Sequence, residues 1–199
     1  MNEGSDISGE HEAWQRLWDP VVAAIGTDLG TGAAAQAADR VEAGAIRRWT
    51  EPLEFACALH DDRKEARRHG HPDIIAPYTA MLSFALPPMW FPGAPTLFPA
   101  ADRDAQPERS VVKPVFPDFF PPFTGYFATD VDMDYLRPAH VGERLQRRGA
   151  KLVACHPKET RVGRGAFVTT EAEIANEEGN LLARVRTSLF LYTPREGAR

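Results

Sequence analysis

The chain has little cysteine, no long apolar run and no excess of basic charge, and each shortage excludes a class of protein. Only Cys57 and Cys155 occur among the 199 residues, too few for a disulfide-rich secreted scaffold. No apolar stretch approaches the roughly 18 residues that a membrane-spanning helix needs. The net charge of −5 disfavours a nucleic-acid or anionic-membrane surface. The length fits one domain with a sizeable core, or one domain with appendages.

Both cysteines lie among apolar neighbours. We therefore expect buried free thiols, with a disulfide between them as the alternative. The first twelve residues, MNEGSDISGEHE, are acidic and polar and do not resemble a secretory signal. These features favour a cytoplasmic protein.

The residue pattern divides the chain into three parts. Apolar residues at helical spacing predict an N-terminal helical extension over residues 1–37, followed by one domain over 38–193 and a tail at 194–199. Within the domain, residues 87–122 contain ten of the 17 prolines and six aromatic residues. Because a disordered linker is poorer in aromatics, this composition predicts an ordered, irregular flap packed on the domain.

Helical patterns dominate the first part of the domain. We predict helices over residues 42–58, 63–68 and 78–86. Pro52 should kink or divide the first helix. Asp61 or Asp62 is a natural cap for the second, and Pro77 is suited to the first turn of the third. The third helix is apolar nearly all round, which predicts that it is buried.

Strand patterns follow from Gly125 onward. Four segments rich in β-branched and aromatic residues predict strands over residues 126–135, 143–155, 165–174 and 181–192. Turn-like connections at 157–164 and 176–180 predict an antiparallel meander. A short strand is also expected near Ala38–Val41. Helices followed by strands favour an α+β class, with a long antiparallel sheet around a buried helix.

Residues 46–80 resemble, without gaps, a family pattern of helix, His-bearing loop, A-x-x-x-G-Y/H-P and A-P-x-T. The matching residues are His60, Ala66, Gly70, Pro72, Ala76, Pro77 and Thr79. Residues 135–138, YLRP, and 141–145, VGERL, look like that family's "RP…VGDRL" strand entry. Over residues 40–193 the chain resembles the MaoC-like hot-dog-fold hydratases and dehydratases, in particular their N-terminal-type dehydratase half and the (R)-specific enoyl-CoA hydratases. The resemblance implies a hot-dog fold.

The resemblance also implies an activity: reversible addition of water to an α,β-unsaturated acyl thioester. No cofactor is implied beyond the coenzyme A or acyl-carrier thioester of the substrate. Active members carry an Asp and a His five residues apart, which hold a water and handle its protons. Backbone N–H groups at the start of the buried helix polarise the thioester carbonyl.

This sequence departs from that pattern beside His60. Aligned on His60, the family's Asp position holds Phe55, its Asn position Cys57 and its Pro position Ala58. A phenyl ring cannot accept a proton. The resemblance therefore implies a substrate-binding subunit of a heterodimer or heterotetramer, with the full Asp–His pair on another hot-dog chain. One alternative is a homodimer. Another is acid–base chemistry by His60 together with Asp61, although Asp61 could instead serve only as a helix cap.

Six further residues are predicted to contact the thioester substrate. By resemblance, Ala76, Tyr78 and Thr79 would surround the carbonyl, although they must also begin a buried helix. Trp90 and Phe91 would form the wall of a wide, apolar acyl pocket, or else a subunit interface. Arg137 would meet coenzyme A phosphates, or else lie on a solvated strand face. Such a pocket suits a bulky acyl group such as a steroid side chain.

Other functions fit less well. A metal site from His60, His69 and His71 is disfavoured because no companion cysteine or carboxylate pattern accompanies them. A non-catalytic acyl-thioester-binding or scaffold module remains an alternative because of Phe55. A hot-dog thioesterase would need a carboxylate near the buried helix, and residues 76–86 contain none.

Overall fold

The computed structural model describes residues 13–30, 32–98, 100–105, 107–108 and 116–194. The first twelve residues of the predicted extension and the last five of the predicted tail lie outside the described residues. Residues 99, 106 and 109–115 of the predicted flap also lie outside them.

Five antiparallel strands form one sheet. They are β1 (Ala35–Arg40), β2 (Gly125–Tyr135), β3 (Arg144–Glu159), β4 (Gly163–Asn176) and β5 (Leu181–Pro194). Their spatial order is β1-β3-β4-β5-β2, and every neighbouring pair is antiparallel. The predicted simple meander is therefore right for β3, β4 and β5 and wrong for β2, which lies beside β5 at an edge.

The connection between β2 and β3 explains this displacement. Ile75 and His140 form an isolated antiparallel bridge. The N–H of Ala76 donates to Ala139 O at 2.8 Å, and the N–H of Val141 donates to Ile74 O at 2.9 Å. The connecting segment thus pairs with residues 74–76, and β3 enters the sheet away from β2.

The predicted strands are correct in kind, but β3 is longer than expected. It continues to Glu159, and Pro157 lies opposite Ala166 within the ladder. The predicted turn at 157–164 is therefore wrong in extent. Register shifts in β3 between Arg148 and Ala154 mark irregularities that sequence periodicity does not reveal.

The helix predicted over 63–68 is confirmed with the same bounds, whereas those predicted over 42–58 and 78–86 are shorter than expected. The helices are α1 (Asp19–Ala23), α2 (Ala43–Thr50), α3 (Arg63–Arg68) and α4 (Met81–Phe84), with 3-10 turns at Glu51–Leu53, Ala58–His60 and Tyr78–Ala80. The helix predicted over 42–58 ends at Thr50, because Pro52 enters a 3-10 turn and Glu54 follows with a left-handed φ of 50°. The helix predicted over 78–86 begins as a 3-10 turn and ends at Phe84.

Two apolar clusters cover the inner face of the sheet. The first joins α2 and α4 to the sheet through buried side chains that include Ile46, Met81, Leu145 and Val185. The second is centred on Trp18 and Phe120, whose rings meet edge to face with centroids 6.5 Å apart. Phe120 belongs to the predicted flap, so this end of the flap packs on the domain.

Candidate active site

The loop after α2 turns sharply before the predicted site. Glu54 adopts φ 50° and ψ 34°, a left-handed conformation that is uncommon for a residue with a side chain. The N–H of Phe55 then donates to Thr50 O at 3.2 Å. This turn ends the helical path and brings residues 55–57 towards the His60 loop.

His60 is held by backbone groups on a neighbouring segment. Its Nδ1 atom lies 2.8 Å from Ile75 O, and the N–H of Ile75 donates to Leu59 O at 3.1 Å. Because a carbonyl oxygen can only accept, Nδ1 carries the proton in this hydrogen bond. The lone pair of the neutral ring is therefore on Nε2, the atom that can serve as a base.

The ring of Phe55 occupies the space beside this imidazole. The two ring centroids are 5.6 Å apart at an interplanar angle of 45°. The Phe55 side chain is about half exposed. The residue that stands at the family's carboxylate position is thus close to His60 in space, but it offers an apolar surface in place of an acceptor.

An open cavity of about 510 Å³ lies against these two rings. Its polar lining includes Arg47, Glu51, Glu54, His60 and Asp61. Arg47 and Glu51 form an ion pair on α2 and the following turn. The cavity therefore brings together His60 and Asp61 of the predicted catalytic residues, with further carboxylates that sequence reasoning missed.

The two acids after His60 have different positions. Asp62 caps α3, and its Oδ1 accepts from the N–H groups of Lys64 and Glu65 at 2.7 and 3.2 Å. This confirms one of the two predicted caps. Asp61 is exposed and borders the cavity.

The residues predicted to bind the thioester carbonyl begin the α4 segment. Ala76 is buried. Tyr78 is partly exposed, and its ring centroid lies 4.9 Å from that of Tyr135. Thr79 is exposed, and its Oγ1 accepts a long 3.4 Å hydrogen bond from Trp49 Nε1. These three residues do not line the cavity beside His60.

The other three predicted contacts lie elsewhere. Trp90 and Phe91 are 46% and 62% exposed and lie outside the lining of the His60 cavity. Trp90 Nε1 donates to Ala94 O at 3.1 Å. Arg137 is half-buried, and its guanidinium donates to Glu143 Oε1 at 2.6 Å. Arg137 is thus engaged within the fold.

A partly buried polar network around Glu143 was not predicted as a unit. Its carboxylate accepts from Arg137, from the N–H of His140 at 2.7 Å and from Asn176 Nδ2 at 3.0 Å. Burial alone would raise the pKa of Glu143, but these hydrogen bonds outweigh it and lower the pKa. Burial lowers the pKa of His140, against the opposing attraction of Glu143. The only hint of this network in the sequence was the VGERL motif at residues 141–145, which contains Glu143.

Two classes of feature are not found in the part of the chain that the structure describes. Those residues contain no cluster of three or more His, Cys, Asp or Glu side chains arranged to hold a metal ion. Within the same residues, no helix is long and apolar enough to cross a membrane. The two cysteines are free thiols; Cys155 is buried and Cys57 is partly buried.

Comparison with known proteins identifies the family. The family described as FAS1-like, dehydratase domain region, matches residues 27–185. A relative from Thermomonospora curvata, "Probable enoyl-CoA hydratase alpha subunit", is 22% identical over 193 residues, which are 97% of this chain and 54% of the relative. The chain thus spans about half the length of that relative.

Solved structures support the fold. A chain of the ChsH1-ChsH2 complex from Mycobacterium tuberculosis superimposes with a TM-score of 0.60 at 20% identity, covering 96% of this chain and 100% of the other. The MaoC-like dehydratase from Rhodospirillum rubrum gives 0.51 at 20% identity, covering 84% and 94%. The predicted hot-dog fold is confirmed, and the chain belongs to the FAS1-like dehydratase region family, among the MaoC-like hot-dog hydratases and dehydratases.

Proposed function

We propose that this chain is the substrate-binding subunit of an enoyl-CoA hydratase or 3-hydroxyacyl-thioester dehydratase whose complete Asp–His pair lies on a second hot-dog subunit. The observation that carries the proposal is the contact of Phe55 with His60 at the position where active members have a carboxylate. His60 retains a fixed tautomer, but it lacks the neighbouring carboxylate with which active members hold and activate the water.

The relatives support a two-subunit arrangement. The structurally similar ChsH1-ChsH2 chain comes from a complex, and the Thermomonospora relative is named as an alpha subunit. In the proposed reaction, the hydroxyl of water bonds to the β-carbon, its proton passes to one member of the partner's Asp–His pair, and the other member delivers a proton to the α-carbon. The N–H groups of Tyr78 and Thr79 stabilise the negative charge that develops on the thioester oxygen.

The exposed aromatic side chains favour a large, apolar acyl group, such as a steroid side chain. Trp90, Phe91 and Phe98 present extensive apolar surface on the predicted flap. Such surface suits contact with an acyl chain or with a partner. Thioester binding and the identity of the acyl group are parts of the proposal.

A hydration assay tests this proposal. The chain is assayed with enoyl-CoA alone, and together with a candidate partner, a hot-dog protein of the same organism that carries an intact Asp–His pair. We expect activity only in the pair, and a loss on the order of tenfold for His60→Ala in this chain, because His60 lines the cavity that would bind the thioester and a tenfold loss corresponds to about 1.4 kcal/mol of binding. His69→Ala is a matched control, because His69 is an exposed histidine at the end of α3.

Two results would decide against this version. Full activity of the chain alone, abolished by His60→Ala, would show that it needs no partner. No activity in any pairing, with retained binding of coenzyme A thioesters, would select the non-catalytic binding module. Phe55 is the observation that favours this second candidate.

A further inference from the structure

Between the two apolar clusters, one band of the inner face carries polar side chains. The first cluster includes Leu145 of β3, and the second includes Leu152 of the same strand. Three polar residues lie at the boundary of the clusters, and none of them belongs to either: Arg147 on β3, Thr170 on β4 and Thr187 on β5. All three are partly buried. We call these three residues the inner polar band.

Arg147 faces the inner side of the sheet. It lies opposite Ile174 of the first cluster, and directly opposite residues of antiparallel strands share a face. Burial lowers the pKa of Arg147, and the described residues supply no charge that offsets the lost hydration. The guanidinium still carries its charge at neutral pH, because arginine is effectively always protonated in proteins.

Arg147 differs from the other arginines of the strands. Among the described residues, its guanidinium has neither a hydrogen-bond acceptor nor an ion-pair partner. The other six strand arginines each bind a carboxylate or a backbone carbonyl: Arg40, Arg144, Arg148, Arg164, Arg184 and Arg186. A partly buried cation without a counter-charge is costly. An anion supplied by a ligand would therefore stabilise Arg147.

Two threonine hydroxyls extend the band across the sheet. Thr170 lies opposite Leu152 on one side and Thr187 on the other, so both threonines also face inwards. Within the described part of the chain, neither hydroxyl has a hydrogen-bond partner. On the outer face, by contrast, the hydroxyls of Thr169 and Ser188 lie 2.8 Å apart. The band therefore offers hydroxyl donors as well as the guanidinium.

Only small residues of the sheet separate Arg147 from Thr170. On β4, the inner-facing residue between the levels of these two is Ala172. On β3, Gly149 and Ala150 occupy the corresponding place, where the register shifts. No bulky side chain of the sheet thus stands between the cation and the hydroxyl. A carboxylate has the charge and the acceptor atoms that suit this space.

We propose that the inner polar band binds a carboxylate at the far end of the acyl chain, so that the substrates are thioesters of dicarboxylic acids. Arg147 binds the carboxylate through two N–H groups, and the threonine hydroxyls donate to its remaining lone pairs. Val131, which lies opposite Thr187 and is 48% exposed, gives the chain an apolar contact. This inference rests on the proposed function, because it takes an acyl thioester as the substrate.

The position of α4 is consistent with this assignment. Met81 of α4 packs in the first cluster, which adjoins the band through Ile174. An acyl chain whose carbonyl lies at the amides of Tyr78 and Thr79 would follow this cluster to reach Arg147. A bulky and mainly apolar acyl group that ends in a carboxylate therefore suits both the apolar clusters and the band.

Calorimetric titration with unreactive thioesters tests the proposal. Saturated coenzyme A thioesters, from hexanoyl to dodecanoyl, are compared with the monothioesters of the dicarboxylic acids of the same lengths. Saturated chains cannot be hydrated, so the titration measures affinity without catalysis. At the best length, we expect the native chain to bind the carboxylate-ended thioester at least about tenfold more tightly, as charge-assisted hydrogen bonds would provide.

Three variants assign this preference to Arg147. Arg147→Met keeps an unbranched apolar stem but removes the cation, and it should lose the preference without losing affinity for the methyl-ended thioester. Arg147→Lys keeps the charge without the planar fork and should keep only part of the preference. Arg148→Met is the matched control, because Arg148 is exposed and pairs with Glu173, and it should keep the whole preference. Without ligand, Arg147→Met should resist denaturant at least as well as the native chain, which a structural role of Arg147 would not allow.

The results that would overturn the inference differ from those that would overturn the proposed function. Equal affinity of the native chain for the two kinds of thioester would overturn the inference alone. A preference that survives in folded Arg147→Met would do the same, as would free dicarboxylic acids that bind as tightly as their thioesters. Binding of neither kind of thioester, by the chain alone or with the candidate partner, would refute the proposed function and the inference together.

Discussion

Arg137 donates through its NH2 group to Glu143 Oε1 at 2.6 Å, and this pair ties the entry of β3 to the end of β2. Asn176 and the N–H of His140 complete the shell of donors around the carboxylate. A network of this kind specifies geometry as long as every member is satisfied.

Glu143→Gln should destabilise the fold. The amide keeps one acceptor but turns an NH2 group towards donors that a carboxylate satisfied. We expect a loss of about 2 kcal/mol in the free energy of unfolding, measured by denaturant titration at neutral pH. Glu178→Gln on the exposed β4–β5 turn should change it by less than about 0.5 kcal/mol. Equal effects of the two variants would contradict the role of the network.

The same two variants also show how much of the loss of stability in acid comes from Glu143. The pKa of Glu143 is below its ordinary value, so its contribution is present above the unfolded-state pKa and is lost as pH falls through the folded-state pKa. The pKa of His140 is also lowered, so its protonation destabilises the fold. This loss of stability begins at a higher pH than that of Glu143, as the pH falls below about 6.5, the ordinary pKa of histidine. Melting curves of Glu143→Gln should therefore lose the lower step and show a larger upper one, because the attraction of Glu143 that partly offsets the lowered pKa of His140 is gone.

The two thiols should differ strongly in reactivity. Cys155 lies in the cluster around Trp18, and burial raises the pKa of its thiol to about 11. Since the thiolate is the reactive form, a disulfide reagent near pH 8 should modify the native protein at Cys57 first. In Cys57→Ser, the remaining thiol of Cys155 should react slowly in the native protein and rapidly once the protein is unfolded. Two equally fast thiols in the native protein would be inconsistent with this structure.

The strands and the hot-dog fold could be predicted because their signals are local or sequential. Alternating β-branched residues marked β4 and β5, and the order of the motifs around His60 marked the family. The position of β2 could not be predicted in this way, because the 74–76 segment redirects the chain through contacts distant in sequence.

The candidate site could be predicted only in part, again because some of its contacts join residues that are distant in sequence. The sequence alignment on His60 pointed to Phe55, and the structure places their rings together. Nothing in the propensity of glutamate predicts the left-handed conformation of Glu54, which Pro52 and the loop impose. The hydrogen bond from His60 to Ile75 joins residues 15 apart in the chain, so sequence spacing alone does not give the tautomer.

Phe55→Asp should give the isolated chain an activity that it otherwise lacks. The new carboxylate would stand beside His60, whose Nδ1 is already bonded to Ile75 O, so a water could be held between the carboxylate and Nε2. General acid–base groups contribute about 10²–10⁴-fold, and we expect a gain of at least about tenfold in enoyl-CoA hydration. Because Phe55 is half exposed, the exchange should cost little stability.

Two controls isolate the proton chemistry of this variant. Phe55→Asn has nearly the same shape as Phe55→Asp but cannot accept a proton, and it should remain inactive. The double variant Phe55→Asp with His60→Ala should lose the gain, because each group needs the other to hold and activate the water. If Phe55→Asp is folded and binds the thioester but is no more active than Phe55→Asn, position 55 is not the missing half of a water-handling pair.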